Sequence, residues 1–148
     1  MKPLLVLLIS FGLAIFAIKI FLQHYDYSYA ARIAMSVMLL FTAMAHFAFS
    51  KGMTMMLPGF IPFKLIVVYL TGIIEITAAI GLQIAHLRLL TSWLLIVFFI
   101  LVLPANIYAA AKHIDYQGGK DDSKGLYYLW FRVPLQILFI IWTWISIQ

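Results

Sequence analysis

The sequence predicts an all-α integral membrane protein with five spans, and three observations carry that reading. Hydrophobic residues make up 66% of the 148 and charged residues only 10%, with a mean hydropathy of +1.07. A soluble domain cannot hide that much apolar surface. The apolar residues fall into five runs of about 20, the length that crosses a hydrocarbon core. Charged and aromatic side chains sit at the ends of those runs, as in membrane topology signals.

The chain is one transmembrane domain, 1–148. Residues 3–22 form the first run, behind Lys2. It resembles a secretory signal, but Ile15-Phe-Ala-Ile-Lys19 offers no small-residue cleavage site, so it is read as a retained helix. Tyr25, Tyr27 and Tyr29 mark the interface before the second span, 29–49. Residues 50–63 read as an interfacial loop broken by Pro58, Gly59 and Pro62. The third and fourth spans, 64–85 and 88–111, are joined so tightly around His86 that they should be antiparallel neighbours. Residues 112–125, with Gly118-Gly119 and Asp121-Asp122, read as a solvated polar loop. Tyr127, Tyr128 and Trp130 open the fifth span, 126–147, and Trp142 and Trp144 close it.

Five spans put Lys2, Lys51, Lys64, Lys112, Lys120 and Lys124 on one side and Lys19, Arg32 and Arg88 on the other, six cations against three. That places the N-terminus in the cytoplasm. The net charge of +5 is spread singly along the chain and forms no nucleic-acid patch. With no cysteine, disulfides, thiol relays and Cys-ligated metals are excluded.

Polar residues inside the spans are the candidate site, because an Arg or Asp near a helix centre costs ~2.5–3.5 kcal/mol against ~0.3–0.6 gained per Leu or Ile. His46 and Asn106 lie about one turn, and Arg132 about two turns, from the cytoplasmic ends of their spans; Glu75 and Gln136 lie deeper. All five therefore fall in one half of the membrane. Arg132 and Gln136 are spaced i, i+4 on one face. Glu75 shares a face with Thr71, Gly72, Ala78 and Ala79, small residues that admit a neighbouring helix. Pairing Glu75 with Arg132 would remove most of the burial penalty, so the two are expected to hydrogen-bond, directly or through one water. Pro104 and Pro134 free the carbonyls of Ile100 and Trp130, with Asn106, Arg132 and Gln136 as nearby donors.

Each signal has a plainer explanation. A Glu75–Arg132 pair can be a clamp that fixes helix register as readily as a functional site. His46 fits a hydrogen-bonded packing residue better than a metal ligand, and no second imidazole lies inside a span to complete a haem site. Met53, Met55 and Met56 fit interfacial packing. No nucleophile–base pair, phosphate loop or metal-ligand motif is present, so neither catalytic residues nor an intrinsic cofactor are expected.

The motifs His46-Phe47, Leu57-Pro-Gly-Phe-Ile-Pro62, Tyr69-Leu-Thr-Gly72 with Glu75, Gly81-Leu82, Leu103-Pro-Ala-Asn-Ile-Tyr108 and Arg132-Val-Pro-Leu-Gln136 with Trp142 resemble the DoxX-like family of small bacterial membrane proteins. They come in family order over residues 32–144. The resemblance implies a four-helix bundle in the bacterial inner membrane, with the N-terminal run as an addition. Some members of that family are associated with thiosulfate:quinone oxidoreduction and others with redox-stress complexes.

The functional expectation is a binding protein or redox-complex subunit. A small amphipathic molecule, quinone first, would enter from the lipid near Pro58–Pro62. It would meet Glu75, Arg132, Gln136 and Asn106, with His46 and Tyr69 at the rim. Electrons would come from a partner protein. Membrane lipids and a second copy of the chain are the other partners considered. The alternative is a non-enzymatic scaffold or assembly factor whose polar cluster only holds the bundle together.

Overall fold

In the computed structural model, residues 2–111 and 125–147 are described, with side chains over 2–108 and 133–147. The polar loop 112–124 and the side chain of Arg132 lie outside the described residues. Among the described residues six helices follow in order: α1 (Lys2–Leu22), α2 (Tyr27–Ala48), α3 (Ser50–Met55), α4 (Lys64–Gly81), α5 (Arg88–Ala111) and α6 (Gly125–Ile145). No strand occurs among the described residues. Four helices, α1, α2, α4 and α5 over Arg88–Tyr108, are long and apolar enough to cross a membrane. The fully described part of α6, Val133–Ile145, is a shorter apolar helix.

Local chemistry sets the boundaries. Gln23, in the left-handed region at φ 59°, turns the chain out of α1, and its N–H still reaches the Lys19 carbonyl at 3.1 Å. Asp26 then caps α2, accepting from the Tyr29 N–H at 2.8 Å, a contact typically worth ~1 kcal/mol.

Two boundaries differ from the sequence expectation. The stretch read as loop 50–63 contains the six-residue α3, since nothing before Pro58 stops a turn of helix. Beyond it, Lys64 Nζ donates to the Leu57 carbonyl at 2.8 Å and Phe63 takes a left-handed conformation (φ 50°), which together aim the chain into α4. The third span stops at Gly81 rather than at 85. Residues 82–87 wind into a tight turn through short-range bonds such as Gln83 N–H to the Ile80 carbonyl at 3.0 Å. That turn lets the Gln83 side chain fold back and donate to Ser36 on α2 at 2.7 Å.

Helix α2 is central, with α1, α4 and α6 packed around it and α5 joined to α6. The core between them holds Met35, Met38 and Leu39 of α2, Ala78 and Ala79 of α4, Phe99 of α5 and Phe139 of α6. Small residues permit the closest crossings. A Cβ on Gly72 would lie 3.0 Å from the His46 Cβ, and one on Gly81 only 2.5 Å from Thr91 Oγ1, so α4 meets α2 at one glycine and α5 at the other.

Candidate functional site

Between α4 and α5, beyond their close contact at Gly81, lies a cavity of about 570 Å³. Its walls are mostly apolar, and its polar side chains come from four helices: Thr42 and His46 of α2, Thr71 and Glu75 of α4, Asn106 of α5 and Gln136 of α6. Leu101, 71% exposed, and Phe60, 85% exposed, also border it. The cavity therefore opens through the side of the bundle as well as under the Pro58–Pro62 segment. In a bilayer that side faces acyl chains, and an apolar-walled space with a few convergent polar groups is the usual form of a small-molecule site.

Glu75 sits at the inner wall, 6% exposed, on the α4 face that buries Gly72 and Ala79. Its Oε1 is 3.5 Å from His46 Nε2, and its Oε2 has no hydrogen-bond partner. On the other side of the ring, His46 Nδ1 is 3.0 Å from Thr71 Oγ1. That hydroxyl has a single hydrogen, which it donates to the Val68 carbonyl at 2.7 Å, so it accepts from Nδ1–H. With Nδ1 protonated, Nε2 faces the carboxyl group of Glu75. Oε2 is itself buried, with no donor against it.

The amides form a second polar unit. Asn106 Nδ2 donates to Gln136 Oε1 at 2.9 Å, and Gln136 Nε2 donates to the Phe99 carbonyl. The carbonyl satisfied is one residue before the expected Ile100. Ile100 is exposed on the outside of the bundle, whereas Phe99 is buried, with its carbonyl toward Gln136 of α6. Pro104 breaks the ladder just beyond this point.

Of the residues singled out from the sequence, His46, Glu75, Asn106 and Gln136 line one cavity. Tyr69 does not border it; its ring stacks on Phe47, 5.7 Å between centroids, on an exposed surface of the α2–α4 pair. The expected Glu75–Arg132 contact lies outside the described residues. Thr71 and Thr42 were not singled out as site residues. Each precedes a site residue by four positions, Thr71 before Glu75 and Thr42 before His46, and that spacing was the available signal. Among the described residues no group of three His, Cys, Asp or Glu side chains converges as a metal site would require.

Residues 35–147 match the family model of a domain of unknown function, DUF8561. The match begins inside α2, so it leaves out α1, and it covers nearly all of the stretch carrying the motifs set out above. No curated protein and no solved structure matches the chain.

Proposed function

The chain belongs to the DUF8561 family, and we propose from the chemistry of its cavity that it is a multi-pass membrane protein that binds a small lipid-soluble molecule carrying a hydrogen-bond donor. Quinol, the reduced form of a quinone, is the first choice. The observation that carries this reading is the Glu75 carboxyl group, buried at the wall of an apolar cavity with one oxygen unpartnered. A buried acceptor without a donor costs about 1–3 kcal/mol, and a ligand hydroxyl would offset it. The opening beside Leu101 and Phe60 gives a hydrophobic molecule a route from the acyl chains.

In this reading a quinol hydroxyl donates to Glu75 Oε2, and the ring lies among Phe98, Phe99 and Phe139. Reduction of a quinone to the quinol takes up two electrons and two protons. The electrons would come from a partner protein in a membrane redox complex, one proton would reach the ring oxygen beside Glu75 through the Glu75–His46 pair, and the second would come from water. The DoxX-like motifs support this partner class. Five spans, with α6 as the last, and a cytoplasmic N-terminus belong to the same proposal, resting on the run lengths and on the distribution of lysines.

A second reading is a scaffold whose polar groups are structural. The Asn106–Gln136–Phe99 chain favours it, since it ties α5 to α6 with no ligand. Lipid extraction and mass spectrometry of the purified protein separates the two. A co-purifying quinone or other hydroxyl-bearing lipid, lost from Glu75→Leu, supports the binding site; an equal lipid profile in both proteins supports the scaffold.

A further inference from the structure

At the end of the bundle away from the cavity, two arginines converge. Arg32 of α2 is 7% exposed, and one of its terminal nitrogens donates to the Ser146 carbonyl just past α6 at 2.9 Å. Arg88 is the first residue of α5. Two independent contacts bring it to the same corner. Gln83 ties the α4–α5 turn to Ser36, one helical turn below Arg32, and the Trp93 ring of α5 meets Trp144 of α6 at 5.5 Å, two residues before Ser146. The Arg32 guanidinium and the start of α5 therefore share one corner of the bundle.

Both charges are under-compensated. The Nε atoms of Arg32 and Arg88 are each buried without a hydrogen-bond partner. Among the described residues no carboxylate lies within ion-pair distance of either guanidinium. Asp26, six residues before Arg32, caps α2 through its Oδ1. Tyr29 covers one side of Arg32, its ring centroid 5.5 Å from the guanidinium carbon. A buried guanidinium without a carboxylate partner carries a desolvation cost that an anion would offset.

We infer that Arg32 and Arg88 form a binding site for a phosphate group at this end of the bundle. Guanidinium forks match phosphate oxygens in geometry, and two of them can hold one group from two sides. The depth fits a membrane interface: Trp93 and Trp144 are half-exposed beside the site, in the manner of an aromatic belt. A phospholipid headgroup meets the site from the bilayer and free phosphate meets it from water, and the chemistry is the same for both.

The test uses the full chain in nanodiscs of phosphatidylcholine, with and without phosphatidylglycerol, and separately with inorganic phosphate. Native mass spectrometry reads lipid retention, and thermal unfolding reads protection. Wild type should retain one phosphatidylglycerol under conditions that strip phosphatidylcholine. Arg88→Gln, which removes a half-buried charge without breaking the Arg32–Ser146 contact, should weaken that retention about tenfold, the loss expected for one charge-assisted hydrogen bond. Arg88→Lys should keep part of it. Protection by inorganic phosphate alone, lost in Arg88→Gln, would identify a soluble anion as the occupant of the same site. Equal lipid retention and equal phosphate response in wild type and Arg88→Gln would overturn the inference. Ligand binding in the cavity should be the same in both proteins, which keeps this outcome separate from the fate of the quinol reading.

Discussion

The two ends of this bundle use polar side chains in opposite ways. Around Ser36, hydroxyl, amide and indole groups bridge helices and satisfy one another, although the Arg32 and Arg88 Nε atoms nearby have no partner: Ser36 donates to the Ala79 carbonyl at 2.8 Å, Gln83 donates to Ser36, and Trp142 donates to the Ala31 carbonyl at 3.1 Å. At the Glu75 end, polar groups from the same helices border a void, and one carboxylate oxygen has no partner. The cause is local. Gly81 lets α4 and α5 touch at their connected ends, and beside Thr71 and Leu101 both helices border the cavity. One end is built to hold the fold, and the other keeps space that the fold does not use.

The largest effect should come from breaking the closed end. Gly81→Val puts methyl groups where a single Cβ already meets Thr91 Oγ1 at 2.5 Å, and should destabilise the bundle by about 1–3 kcal/mol in denaturant titration. Ser36→Ala, which removes a hydroxyl joined to both α4 and the following turn, should cost about 1 kcal/mol in the same assay.

Substitutions at the open end should leave stability almost untouched and change binding instead. Glu75→Leu removes an unpartnered buried oxygen along with the one 3.5 Å from His46, two effects of opposite sign, so stability should stay within about 1 kcal/mol of wild type while hydroxyl-bearing ligands are lost. A large loss of stability would instead mark Glu75 as a clamp. Thr71→Val keeps the shape of the side chain and removes the acceptor for His46 Nδ1–H. It should cost only about 0.5 kcal/mol, and the His46 ring proton resonances in solution NMR should shift as the tautomer changes.

Much of the architecture could be read from the chain. Helices α1, α2, α5 and α6 fall within two residues of the expected spans because long apolar runs have few alternatives in lipid. Helix α3 escaped notice because six residues carry no measurable periodicity. The early end of α4 escaped because the turn at 82–87 is tied down by the Gln83–Ser36 contact between separate parts of the chain, which spacing along one run does not show. The polar members of the site were legible because His46, Glu75, Asn106 and Gln136 interrupt runs that are otherwise apolar. Their pairing was not. That His46 should meet Glu75 depends on how closely α2 and α4 cross at Gly72, and sequence spacing along one helix carries no information about that crossing. Tyr69 shows the same limit, since one position's difference in facing puts it on Phe47 and away from the cavity.

Equilibrium binding of a short-chain benzoquinol to the full chain in nanodiscs tests the central claim most directly. Saturable binding of one quinol per chain, weakened at least about tenfold by Glu75→Leu at unchanged stability, is the predicted result. Quinol uptake no greater than in empty nanodiscs, or equal in wild type and Glu75→Leu, would contradict it.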